Sequence, residues 1–265
     1  MAEPVMPTEI VTWMRERDWG MHHVYWHATR QWDLLEPQER AQLEAAGQTR
    51  AAGQEGQAGN GWEFLIMHRA MIRLLLRQFP AQTKLFAGWP TPPIAPNSPT
   101  DPMPDNGEPK AFDPNKIQAI DGLQTQIGNF ASDDDCGLFI ETSLRPTPGN
   151  PRHRSPDART GIHNYLHNRF SDSNSDIDMG NPQVNIENQR FWRLHGWINN
   201  CWSAFREGKN LSEDEPTYSA ALSVAEQHMS GHHMRPMEAD QMRAAARTVK
   251  NLALAVKRIR AETGF

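Results

Sequence analysis

The chain has 265 residues, a formal net charge of −5 and two cysteines. That length suffices for one sizeable core, the acidic balance offers no global basic footprint for nucleic acid, and no apolar run approaches the roughly 20 residues that span a bilayer. Cys136 and Cys201 suit two thiols in a reducing compartment better than a disulfide framework, and Met1–Ile10 has neither the basic nor the apolar part of a secretory leader, so a cytoplasmic location is expected.

Thr8 to Leu35 reads as one helix, with apolar residues at Ile10, Trp13, Met14, Met21, Val24 and Leu34 and a limit at Pro37. Residues 44–61 carry five glycines and almost no large apolar group, which reads as a flexible, solvated linker. Trp62 to Phe79 is apolar around most of its circumference, with Arg69, Arg73 and Arg77 in one stripe, as in a largely buried helix. Nine prolines between Pro80 and Pro109 mark a long irregular loop.

Between Phe112 and Ser143, Ile117, Ile120, Leu123 and Ile127 suggest a helix, and Gly137–Ser143 is a short apolar run before another loop. Ile162–Arg169, Asn185–Arg206, Pro216–Met229 and Pro236–Glu262 read as further helices. The last sets Met242, Val249, Leu252, Val256 and Ile259 against a basic side of Arg243, Arg247, Lys250 and Lys257, which reads as a solvated face. The expected fold is mainly α: a single domain over residues 1–265, a helical bundle with long irregular loops at 44–61 and 80–110 and C-terminal helices over 216–265.

Histidine is the unusual residue. There are eleven, and three pairs stand at i,i+4: His23 and His27, His163 and His167, His228 and His232. Composition alone would give roughly half such a pair. An i,i+4 step returns nearly to the same face of a helix, so two imidazoles one turn apart can share a metal ion. A third ligand must come from another element. His68, among Phe64, Leu65, Met71 and Ile72, is the natural partner of His23 and His27. His195, among Phe191, Trp192, Ile198 and Trp202, is that of His163 and His167. A lone histidine on an apolar face is ordinarily a satisfied core residue, but two of them, each beside an i,i+4 pair, point to metal, because burying them unpaired is costly. Neutral imidazole suits copper, zinc, iron and nickel. The lack of carboxylates in the motifs favours copper, and two facing sites inside a bundle favour a dinuclear copper centre. His228, His232 and His233 read as a solvated loop or lid, with an accessory metal-loading site as the alternative, and His153 reads as a surface residue.

The same segments resemble a known group. GWEFLIMHRAMIRLL at 61–75 resembles the first-copper helix of arthropod hemocyanins and prophenoloxidases, and HHVYWH at 22–27 is similar to their His-His-x-x-x-His segment. GIHNYLH at 161–167 resembles the His-Asn-x-x-His of tyrosinases and hemocyanins. FWRLHGWINNCW at 191–202 and GLFIETS at 137–143 resemble the segments that carry the last histidine and precede the second-copper site. All five stand in the family's order. The resemblance implies two copper ions, one on His23, His27 and His68 and one on His163, His167 and His195, with His22 as the alternative to His23. It further implies O₂ as co-substrate and a small aromatic substrate, with no nucleic acid or membrane partner and a copper-delivery protein left open. In that family an Asn after the first second-copper histidine and a nearby Glu hold the water that deprotonates a monophenol. Asn164 matches the Asn, and Glu141 is the favoured Glu, with a structural salt bridge as its alternative.

Three departures stand out. Glu187-Asn188 replaces an Asp-Pro, Asn199 replaces an Asp, and neither cysteine lies next to a first-copper histidine, so no thioether is expected. The expected activity is hydroxylation or oxidation of phenols, o-diphenols or o-aminophenols. The alternatives are an oxygenase acting on an aromatic amine in natural-product biosynthesis, a hemocyanin-like oxygen binder, and a zinc or iron hydrolase.

Overall fold

The computed structural model describes residues 4–94, 101, 113–142, 144–147, 150–156, 159–230 and 239–262. The fold is mainly helical, as the periodicity of the sequence requires. Its axis is α4 (Asn60–Gln78), buried on most sides as its composition predicts. Against it pack α6 (Asp133–Glu141), α8 (Gln189–Gly208) and α9 (Pro216–Met229). One large cluster of apolar side chains joins these helices with α1 (Thr8–Arg15), α5 (Pro114–Thr125) and α7 (Ile162–Arg169). A smaller cluster joins α2 (Trp19–Arg30) and α3 (Pro37–Ala45) to the apolar side of α10 (Ala239–Glu262). Among the described residues no helix is long and apolar enough to cross a membrane.

The helices over 162–169 and 216–229 fall where the sequence puts them, and that over 185–206 begins as a 3-10 turn, Asn185–Glu187, before α8. Some expectations change. The single helix over Thr8–Leu35 is two, broken at Glu16–Asp18, where Asp18 adopts φ +50°. The break redirects the chain so that Trp19, His23 and His27 are all buried, which local periodicity cannot foresee. The short apolar run from Gly137 forms, as far as Glu141, the second half of α6, capped by Ser132, whose hydroxyl accepts from the Asp135 N–H at 3.1 Å. Residues 144–147 and 150–156 form a small antiparallel hairpin, β1 (Leu144–Thr147) and β2 (Asn150–Pro156), where a loop is expected. His153 lies in β2.

Residues 46–59, within the expected linker, are docked rather than solvated. The Ala51 and Glu55 N–H groups donate to the carbonyls of Thr29 and Arg30, and the Gln54 amide donates to Thr29 O at 2.9 Å. They satisfy the otherwise open carbonyls of the last turn of α2. Gln54 and Glu55 are buried, and Gln31 donates to Glu55 at 3.0 Å. Gly47, Gly56 and Gly59 adopt the positive φ that these turns require. The basic side of α10 is also partly engaged: Lys257 meets Asp178 at 2.6 Å and Arg258 meets Glu39 at 3.1 Å, while Arg247 and Lys250 are exposed.

Two features position the functional helices. α4 and α6 cross with glycine on glycine: a Cβ added to Gly137 would sit 2.1 Å from the Gly61 carbonyl oxygen. Only the missing side chains allow that approach. The proline-rich segment is anchored by Asp101, which is buried and receives Arg190 at 3.0 Å, Arg193 at 2.7 Å and the Trp89 indole N–H at 2.7 Å. The rest of that segment, residues 95–100 and 102–112, lies outside the described residues.

Candidate metal centre

Four helices deliver six imidazoles to one place. His23 and His27 come from α2, His68 from the middle of α4, His163 and His167 from α7 and His195 from α8. All six are buried, none more than 3% exposed. Donor atoms of His23, His27 and His68 lie within 4.8 Å of one another, and so do those of His68, His163 and His195. His68 therefore faces both groups, its ring 4.2 Å from that of His195 and nearly parallel to it. His167 lies beside this second set, its ring centroid 4.5 Å from that of His163 and 5.4 Å from that of His195. His22 points elsewhere: its ring meets that of His228 at 5.3 Å, and burial pushes its pKa down. His232 and His233 lie outside the described residues.

The orientation of the rings follows from their hydrogen bonds. The Nδ1 of His23 is 2.7 Å from Pro182 O, that of His68 2.9 Å from Phe64 O, that of His167 2.7 Å from Met179 O and that of His195 2.7 Å from Phe191 O. A carbonyl oxygen only accepts, so these four Nδ1 atoms carry the proton and Nε2 is the acceptor nitrogen. The Nε2 atoms converge: His23 and His27 approach to 3.1 Å and His163 and His195 to 3.0 Å. A metal-binding histidine needs this arrangement, with one nitrogen donating to a fixed acceptor and the other presented to the ion. Burial, with His68 and His167 close by, drives the His195 pKa well below its ordinary value, which keeps the ring neutral, the state that can ligate.

Aromatic side chains jacket the cluster. Phe191 lies 3.9 Å from the His195 ring and 5.3 Å from that of His23. Phe64 lies 4.6 Å from His68 and 4.8 Å from His163, and Trp26 lies 4.8 Å from His27. Beside the rings sits one buried carboxylate, Glu141, at the end of α6. Its Oε2 is 2.5 Å from His163 Nδ1 and its Oε1 3.9 Å from His27 Nδ1. Asn164 is adjacent and donates weakly, at 3.4 Å, to the Glu141 carbonyl. Hydrogen bonds hold the end of α6 against the start of α7: Gly161 N–H to Phe139 O at 2.9 Å and Thr160 to Thr142 O at 2.7 Å. The buried ammonium of Lys116 on α5 also donates to the Thr160 carbonyl.

The departures from the resembled family have local explanations. Asn188 caps α8, its side chain accepting the Arg190 N–H at 3.0 Å. Glu187 forms an ion pair with Arg15 at 2.6 Å. Asn199 accepts from the Arg69 guanidinium at 2.6 Å. Cys136 and Cys201 are free thiols, and burial pushes the Cys201 pKa up to about 12. The carbonyl anchors from Pro182 and Met179 could not be found in the sequence, since any residue supplies a carbonyl. The aromatic jacket was visible only as the apolar flanks of His68 and His195. No family model matches the chain, and no curated protein matches it.

Proposed function

We propose that this chain is a copper-dependent oxidoreductase that uses O₂ to hydroxylate or oxidise phenols, o-diphenols or o-aminophenols. The observation that carries the proposal is the set of six buried imidazoles with converging acceptor nitrogens, four of them fixed from behind by backbone carbonyls. The donor set fits copper: all-imidazole, neutral, enclosed by aromatic side chains and free of carboxylate ligands. His23, His27 and His68 would hold one ion and His163, His167 and His195 the other. Such a pair supplies two-electron redox chemistry with O₂ when bound.

The protein's own part is preorganisation. The carbonyl anchors hold the rings in one tautomer and orientation before any ion arrives, so little reorganisation is needed on loading. Phe64, Phe191 and Trp26 keep bulk water from the cluster, which suppresses side reactions of a reactive oxidant. Glu141 and Asn164 form the polar corner of an otherwise apolar site. There the carboxylate is the group that can take a proton from a phenolic hydroxyl, which is poorly ionised at neutral pH.

Metal analysis of the purified chain, followed by oxygen consumption with a monophenol, a catechol and an o-aminophenol, tests the proposal. Two copper ions per chain and oxygen uptake with at least one substrate are expected. His68→Ala and His195→Ala should each lose copper and nearly all activity while circular dichroism stays helical. Full copper occupancy in both variants, or no uptake with any substrate, would overturn it.

A further inference from the structure

Four of the six imidazoles lean on backbone carbonyls, each ring on a carbonyl of its own. The other two, His27 and His163, face the same side chain. Glu141 presents one oxygen to each: Oε2 at 2.5 Å from His163 Nδ1 and Oε1 at 3.9 Å from His27 Nδ1. The two rings lie almost parallel, 12° apart, with centroids 6.3 Å from each other. His27 belongs to the first group of three and His163 to the second. One buried carboxylate therefore contacts one ring of the second group and faces one ring of the first, while each carbonyl anchor serves a single ring.

From this juxtaposition we propose that Glu141 couples the loading of the two metal positions, so that filling the one on His163 prepares the one on His27. The inference rests on the dinuclear reading above, and it assigns Glu141 as a positioning residue in addition to its part at the polar corner.

The physical argument has three steps. An ion held at His163 Nε2 would polarise the ring and make its Nδ1–H a stronger donor toward Glu141 Oε2, 2.5 Å away. The carboxylate is then fixed, and its second oxygen is held toward His27. The entropy of ordering this side chain is lost with the first ion and is not lost again with the second, a source of positive coupling that needs no large movement. The negative charge between the rings also offsets the repulsion between two neighbouring cations. The asymmetry of the two distances gives the order: the His163 side is already in contact, and the His27 side closes later.

Native mass spectrometry of the full chain during titration with Co²⁺ alone, an imidazole-binding probe without O₂ chemistry, counts molecules carrying no, one and two ions. A coupling on the order of tenfold, ordinary for linked sites, leaves about a quarter of the molecules with one ion at half-loading, against about half for equal and independent sites. The wild type should show the lower fraction. Glu141→Gln, nearly isosteric, should still bind two ions but raise the one-ion form to half or more. Glu141→Asp, which keeps the charge but shortens the reach, should do the same, and it stands in if the Gln variant does not fold. A folded variant whose one-ion fraction is no higher than the wild type's would overturn the coupling. Fewer than two ions on the wild type would overturn the dinuclear reading itself, an outcome distinct from that one.

Discussion

The glycine contact between α4 and α6 makes a sharp test of how the site is held. In Gly137→Ala the new methyl would lie 2.1 Å from the Gly61 carbonyl oxygen and 2.3 Å from its carbon, where ordinary contact begins at 3.4 Å. Both partners are backbone, so no rotamer change relieves the clash, and α6 must retreat by about 1 Å in a close-packed interior. Overpacking of this kind costs about 1–3 kcal/mol. The substitution also gains up to about 1 kcal/mol in helix propensity. With a backbone clash the upper part of the range applies, so a net loss of about 2 kcal/mol is expected, or about 4–8 °C in Tm for a chain of this size. Gly122 supplies the control. It lies in α5 with nothing within 4 Å of an added Cβ, so Gly122→Ala should gain about 0.4–1 kcal/mol. Thermal and urea unfolding, followed by far-ultraviolet circular dichroism, measure both. Opposite signs are the expected result. A Gly137→Ala protein as stable as the wild type would refute the claim that this crossing is closed by the absence of side chains. The same retreat would draw Glu141, one turn further along α6, away from His163.

Two further outcomes follow from buried charges. Asp101→Ala leaves the Arg190 guanidinium buried without its carboxylate, and removing one partner of such a pair costs about 3–5 kcal/mol; urea unfolding showing a loss below about 1 kcal/mol would mean that water replaces the carboxylate. Burial would raise the Asp178 pKa, but hydrogen bonds from Lys257, Ser171 and the Gly180 N–H outweigh it and hold the carboxyl below its ordinary value. A carboxyl depressed in the folded state contributes stability above its unfolded pKa of about 3.9 and loses it as pH falls through the folded value. Asp178→Asn should therefore be less stable than the wild type at neutral pH, and the gap should close as pH falls below about 4; a gap constant with pH would refute this account.

The sequence by itself determined the helical class, several helix positions and the grouping of histidines. Those properties are local. Period 3.6 writes the buried stripe of α4, proline and glycine punctuate the ends, and an i,i+4 step puts His23 with His27 and His163 with His167 on common faces. It could also mark His68 and His195 as costly residues to bury without a purpose. What it could not decide depends on where distant chain segments meet. Asp18 turns the chain between α1 and α2 because Trp19 must be buried. Residues 46–59 read as a solvated tether by composition, yet they dock on the C-terminus of α2, because its open carbonyls need donors and any backbone N–H can serve.

The geometry of the histidine cluster belongs to the same class. Which nitrogen four of the six rings present is set by the carbonyls of Pro182, Phe64, Met179 and Phe191, and a carbonyl leaves no mark in a sequence. Glu141 was legible as a carboxylate of interest through the resemblance of its segment. Its contact with His163 and its approach to His27 appear only once glycine meets glycine at Gly61 and Gly137 and α6 comes close enough for its last residue to reach between the two rings. Periodicity fixes which face of a helix is buried, but the distance between two helices is fixed by the atoms that meet at their crossing, and that distance decides what a carboxylate can touch.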